Sequence, residues 1–333
     1  MKTAKKITFY ITLVLGTVLI LVTLLSLLYD LPYWYIKALD FPREQVLAGL
    51  LLCLVLFIPV NKEWRLPAVA FAVGLVSAVV IQSTYILPYT TLAGKAVESS
   101  EPSAVQAEQS FSLMLANVWM KNREAEQLLQ IVQQADPDLL IAMETNQWWV
   151  DQLSPLRQKY AHVVSYPLDN TYGMVLYSKF PLKKTEIMFL KHKTVPSIHT
   201  NVVLPNGKEF ILHAVHPVPP KPSEHPDNVG EEEVALLKVG RMVNQTEMPS
   251  VVAGDFNDVA WSRTSRMFNT ESRLHDVRVG RGLYNSFGAQ NILFRYPLDH
   301  VYVSEEFRVL EMERLPKFGS DHFPILVKLH LTE

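Results

Sequence analysis

Cysteine is nearly absent. The only one, Cys53, lies inside an apolar run, so neither a disulfide framework nor a cysteine-built metal site can form within one chain. That scarcity leaves the redox compartment open, because a large domain can do without disulfides. Charge is sparse as well: 19% of the 333 residues are Asp, Glu, Lys or Arg, and the net charge is −2. A global basic field, the usual mark of a protein that grips long nucleic acid, is missing. The part after residue 110 is mildly acidic. Internal repeats are also missing.

What the chain does have is long apolar runs, all near its start. Residues 7–29 carry no charge and are about 23 residues long, enough to cross a bilayer. Residues 41–60 form a weaker second run, with Arg43 and Glu44 near its beginning, and residues 66–89 a third, whose main polar residue is Gln82. Tyr33, Trp34, Tyr35 and Trp64 in the short connections suit the membrane interface. Lys2, Lys5 and Lys6 would also fit the basic start of a cleaved signal peptide. The run is too long for that, and no small-x-small site follows it. We therefore expect a three-helix membrane anchor over residues 1–89. Lys2, Lys5, Lys6, Lys62 and Arg65 on one side outnumber Lys37, Arg43 and Lys95 on the other. This predicts an inside N-terminus in a cell (inner) membrane and an extracytoplasmic C-terminal domain.

Residues 90–110 are polar, small and aperiodic, and read as a linker. From 111 to 333 the pattern alternates strand and helix. Strands are expected at 111–118, 139–143, 173–177, 210–215, 250–253, 300–303 and 324–331. A helix capped by Asn122 is expected after the first strand, and another over 229–243.

Polar residues recur where these strands end. Asn117 ends the first, Glu144 the second, His216 the strand 210–215, and Asp255 with Asn257 the strand 250–253. Asp299 opens a strand, and Ser320-Asp321-His322 precedes the last one. Sites collect at strand ends because a sheet holds loop residues in fixed positions. Each residue also has an ordinary structural reading, such as an Asx turn at Asp255–Asn257. His213, inside its strand, and His300, beside Asp299, read as structural. Trp119, Trp148, Trp149 and Trp261 read equally as groove lining or packing. Arg263, Arg266, Arg273, Arg278 and Arg281 read as a solvated face or a phosphate patch.

The ordered set Asn117, Glu144, His216, Gly254-Asp255-Phe256-Asn257, Asp299 and Ser320-Asp321-His322 resembles the endonuclease/exonuclease/phosphatase superfamily, of the deoxyribonuclease I type. The resemblance covers about residues 111–332. It implies an α/β fold, a four-layer α/β/β/α sandwich of two mixed sheets. It also implies a Mg²⁺-dependent hydrolase of phosphoester bonds, with Mn²⁺ as a substitute. Glu144, Asn117 and Asp321 would then lie near the metal. Asp255 would orient or deprotonate the attacking water, and Asn257 would hold a phosphate oxygen. His322, oriented by Asp299, would stabilise the transition state, and His216 would bind phosphate or protonate the leaving oxygen. The chain departs from the pattern at Trp119, where many members carry an acid, which argues against a two-carboxylate first metal site.

Three functions follow as expectations: a membrane-tethered phosphodiesterase, a nuclease acting on DNA or RNA with the same residues, and a catalytically silent ligand-binding domain. The expected partners are the lipid bilayer and a phosphoester substrate (lipid, nucleotide or nucleic acid), with no obligate protein partner.

Overall fold

A computed structural model describes residues 2–28, 31, 33–101, 106–219 and 234–332. The chain begins with helix α1 (Lys2–Leu25), followed by a short helix α2 (Trp34–Lys37), then α3 (Arg43–Val60) and α4 (Leu66–Ile86). Three segments, Thr3–Leu25, Arg43–Val60 and Leu66–Tyr89, are long and apolar enough to cross a membrane. They close around Leu50, Cys53, Leu75 and Ala78, and most other apolar side chains point outward. Small residues bring the helices together: a Cβ on Gly16 would lie 2.6 Å from Phe71, and one on Gly49 2.9 Å from Leu19.

Then come β1 (Ser110–Asn117), α5 (Ala125–Ala135), β2 (Leu139–Met143), α6 (Gln147–Gln152), β3 (His162–Tyr166), β4 (Met174–Ser178), β5 (Leu182–Met188), β6 (Ser197–Val203) and β7 (Glu209–Ala214). After these follow α7 (Ala235–Asn244), β8 (Ser250–Asp255), α8 (Arg263–Ser272), β9 (His275–Asp276), β10 (Asp299–Val303), β11 (Phe307–Arg314) and β12 (Ile325–Leu331). They make two six-stranded mixed sheets, in the orders β11-β12-β1-β2-β4-β3 and β5-β6-β7-β8-β10-β9. One parallel pair sits in each sheet, β1 with β2 and β7 with β8.

Alternation along the strands produces the layers. Leu113, Leu115, Leu139 and Ile141 face the other sheet and meet Leu212, Ala214, Val251 and Ala253 across the central core. Met114, Ala116, Leu140 and Ala142 face outward under α5 and α6. Val252 and Tyr302 of the second sheet are covered by α7 and α8. The result is the expected four-layer α/β/β/α sandwich.

Several local expectations are revised. Asn122 does not cap α5; its Oδ1 accepts from Glu124 N, and its amide ties the loop to Val118 O and Phe318 O. Strands β3, β5, β6, β9 and β11 and helices α6 and α8 add to the expected elements. The start of the helix expected over 229–243 lies outside the described residues, as do residues 220–225 of the proline-rich loop. The expected linker is partly a packed strap. Val97 is buried in the central core, Ser99 bridges to Val309, and Arg281 donates to Val97 O.

The N-terminal helices are joined to the sandwich by a contact face. Ile86 packs with Val259, Ala260, Trp261 and Leu298, flanked by Phe41, Leu47, Tyr85 and Tyr89. Trp261 Nε1 donates to Asp40 O at 2.7 Å, and the Tyr89 hydroxyl donates to Ala260 O at 2.9 Å. Arg43 at the head of α3 is fully buried. Asp40 binds it, it donates to Gln82 Oε1 and Ser26 O, and it stacks over the Tyr85 ring. A buried charge is tolerable when it is satisfied in this way.

Candidate functional site

The parallel pairs β1–β2 and β7–β8 end side by side, one pair from each sheet, and the site is built on those ends. Gly254 lets β8 run close under β7: it has φ +145°, and a Cβ there would lie 1.9 Å from Val215 O. Only glycine accepts such an approach.

Asn117 joins the two sheets. Its Nδ2 donates to Asp255 Oδ2 at 2.9 Å and to Glu144 Oε1 at 3.1 Å, while its Oδ1 accepts from Trp119 N. Glu144 takes a second N–H, from Met120, on Oε2. Its φ of +60° turns the chain sharply out of β2.

Asp255 is fully buried, and its Oδ1 accepts the Asn257 N–H at 2.8 Å. Two imidazoles face its other oxygen: His322 Nε2 at 3.5 Å and His216 Nε2 at 3.7 Å. Burial pushes the Asp255 carboxyl up, opposed by the charge of His322 and reinforced by Asp299.

His322 Nδ1 lies 2.7 Å from Asp299 Oδ2. Burial alone would discharge this imidazole, but Asp299 and Asp255 outweigh it and raise its pKa to about 10. His322 is therefore a cation held between two carboxylates. Asp299 is itself positioned by the Ser286 hydroxyl, which accepts its backbone N–H.

Asn257 (φ +53°) donates from Nδ2 to Pro217 O at 3.0 Å. His216 is buried, with the Tyr172 ring 5.3 Å away and, among the described residues, no hydrogen-bond partner on Nδ1. Asp321 stands half-buried on the rim. Its neighbour Ser320 donates to Asn117 O at 2.8 Å, which ties that segment to the end of β1. Burial raises the Asp321 carboxyl, with the charge of His322 opposing.

All eight residues singled out in the sequence thus fall at one end of the sandwich. Asn117, Glu144, His216, Asp255, Asp299 and His322 form a linked cluster, with Asn257 and Asp321 beside it. Sequence reasoning assigned no role to Tyr172, Ser286 or Ser320. Ser320 belongs to a recognised segment; Tyr172 and Ser286 reach the site only through loop geometry.

The donor set decides where a cation fits. Among the described residues, one group of three metal-capable side chains lies within 4.8 Å: Asp255, Asp299 and His322. There the imidazole Nδ1 is engaged by Asp299, so the trio suits proton handling. Glu144, its partner Asn117 and the nearby rim acid Asp321 instead offer hard oxygen donors, as Mg²⁺ requires.

Several of the other sequence candidates are structural. His300 is fully buried, donates to Asp258 O and accepts from Arg278, which is paired with Asp276. His213 sits on the outer face of β7 against His199. Trp149 and Trp261 are packed in the interior, while Trp119 and Trp148 are half-exposed. Arg278 and Arg281 are committed to internal contacts, so the five arginines do not form one phosphate patch.

Residues 114–322 match the model of the Endonuclease/Exonuclease/phosphatase family. Solved structures share the fold at low identity. The catalytic domain of human Nocturnin with a bound sulfate anion is 16% identical, with a TM-score of 0.53, over 67% of this chain and 94% of that one. A mannosyl-6-phosphatase of Bacteroides thetaiotaomicron is 17% identical, with a TM-score of 0.51, over 66% and 99%. D. rerio TDP2 complexed with a single-strand DNA product is 14% identical, with a TM-score of 0.53, over 66% and 99%. No curated protein matches the chain.

Proposed function

The chain belongs to the Endonuclease/Exonuclease/phosphatase family, and on that premise we propose that it is a Mg²⁺-dependent phosphodiesterase tethered to a membrane by α1, α3 and α4, with its active site on the extracytoplasmic side. The observation that carries this reading is Asp255: a buried carboxylate fixed by Asn117 from the opposite sheet and faced by two imidazoles.

In the proposed mechanism Asp255 accepts a proton from water. Its burial-raised pKa makes it a better base than an exposed carboxylate. Asn117 and the Asn257 N–H hold its two oxygens, so the water is oriented as well as activated. Asp299 holds His322 through its Nδ1–H and fixes the ring orientation, leaving the Nε2–H to donate to a phosphoryl oxygen as charge develops there. His216 stands on the other side of Asp255, where it would bind phosphate or protonate the leaving oxygen. Asn257 spends one N–H of its amide on Pro217 O and keeps the second for a phosphate oxygen. Glu144, Asn117 and Asp321 would hold Mg²⁺, which, when bound, neutralises phosphate charge and favours in-line attack.

The test is turnover of bis(p-nitrophenyl) phosphate by the full chain in detergent. Mg²⁺ should support it, with Mn²⁺ as a substitute, and EDTA should abolish it. Asp255→Asn should lower kcat at least about 100-fold. Unchanged turnover in that variant would overturn the assignment, and no turnover of any phosphoester would favour a silent binding domain. A nuclease would use the same residues, and nicking of plasmid DNA in preference to the small diester would show it. The absence of an overall basic charge weighs against that second reading.

A further inference from the structure

The rim of the site that adjoins the anchor carries an apolar tip. Ile292, Leu293 and Phe294 are consecutive and 75%, 68% and 56% exposed. Three bare apolar side chains at the end of a loop are costly in water and suit a partner that removes them from it.

Their position identifies the partner. Gln45, in the first turn of α3, donates to Leu293 O at 3.0 Å. Glu44 accepts from Asn285 Nδ2, and Phe41 packs edge-on against Tyr296. The tip is thus fastened at both its flanks to the head of a membrane-spanning helix. Exposed Tyr33, Trp34 and Tyr35 lie in the connection that leads into that helix, where interfacial aromatics belong. An apolar tip continuous with the anchor at that depth meets lipid.

The same loop borders the chemistry. Gly288 N and Ala289 N donate to Asp321 O, one residue from His322. Phe287 sets its ring 5.2 Å from the His322 ring and 6.3 Å from that of Tyr296. The contact path from α3 to the imidazole is therefore Phe41, Tyr296, Phe287, His322.

We infer that the tip Ile292–Phe294 beds in the bilayer surface and that the substrate is a phosphoester on a lipid headgroup, taken directly from the membrane. This rests on the phosphoester-hydrolase reading above. With the tip bedded there, the rim of the site that carries it is held beside the layer in which headgroup phosphates lie.

The experiment uses the full chain in nanodiscs of phosphatidylglycerol, phosphatidylethanolamine and phosphatidic acid. A Cys53→Ser background carries an environment-sensitive fluorophore at Ile292→Cys or, as a control on the distant edge strand β5, at Glu186→Cys. The fluorophore at 292 should be blue-shifted and quenched by spin-labelled lipid, and that at 186 should be neither. In parallel, the triple variant Ile292→Ser, Leu293→Ser, Phe294→Ser should keep its rate on bis(p-nitrophenyl) phosphate within twofold and lose at least tenfold on the nanodisc lipids. Equal spectra at the two positions would overturn the bedding of the loop. Equal losses on both substrates, or wild-type turnover of the soluble diester alone, would overturn the lipid substrate. If wild type turned over neither, the hydrolase reading would fall and the lipid substrate with it, while the quenching would still decide where the loop lies.

Discussion

At the scale of single residues, Asp258 shows how close the N-terminal helices come to the candidate site. It follows Asn257 directly and is fully buried. Burial pushes its carboxyl up to about 7; Ser262 opposes that, nearby Asp40 adds to it, and Lys37 offsets part of it. An unfolded chain ionises this acid above about pH 4, whereas the folded chain does so only above about 7. The folded state is therefore penalised progressively as pH rises from about 4 to 7, and by a constant amount above that. Asp258→Asn should remove the penalty and keep an acceptor for the Val259 N–H. The variant should be stabilised by about 2–4 kcal/mol at pH 8 and hardly at all near pH 4. Thermal midpoints of both proteins in detergent at the two pH values would check this, and equal midpoints at pH 8 would sink it.

At the scale of elements, the ends of strands matter more than their interiors. Strand β8 delivers Asp255 only because Gly254 passes within contact of Val215 O. Gly254→Ala should lower turnover of a soluble diester at least about tenfold, although residue 254 contributes no chemical group, because the added methyl must shift the strand carrying Asp255, the proposed base. Wild-type turnover in that variant would refute the argument. Much of the element pattern was legible in the sequence. Strand β2 ran as expected over Leu139–Met143, and β1, β4, β7, β10 and β12 lay within a residue or so of their expected spans. These strands are buried on both faces and read as apolar runs. Strand β5 escaped notice because it is an edge strand, largely exposed, with Lys183, Lys184 and Glu186 in its middle, and exposed edges favour charge over apolar patterning.

At the scale of the whole molecule, anchor and sandwich do not separate cleanly. Val259, Ala260 and Trp261, just past Asn257, are covered by Ile86 and the aromatic residues around it. A fragment starting at residue 90 keeps the strap through Val97 but loses that cover. Hydrogen exchange should accelerate at the backbone amides of 256–262 and 286–298 while the amides of β1 and β2 stay protected. Turnover of a soluble diester by the fragment should fall several-fold or more below that of the full chain. Equal protection and equal turnover would show that the anchor only tethers.

The sequence by itself determined the three apolar spans, the order of the strands and the eight candidate site residues, because span length, apolar runs and strand-end chemistry are local properties. It also marked Gln82 and Arg43 as oddities within apolar surroundings. Only the tertiary structure decided that these two bind each other, that five arginines do not act as one patch, and that the rim of the site lies against the anchor. Those facts depend on which surfaces meet across long sequence separations, as when Trp261 finds the Asp40 carbonyl, and no local pattern encodes such a meeting.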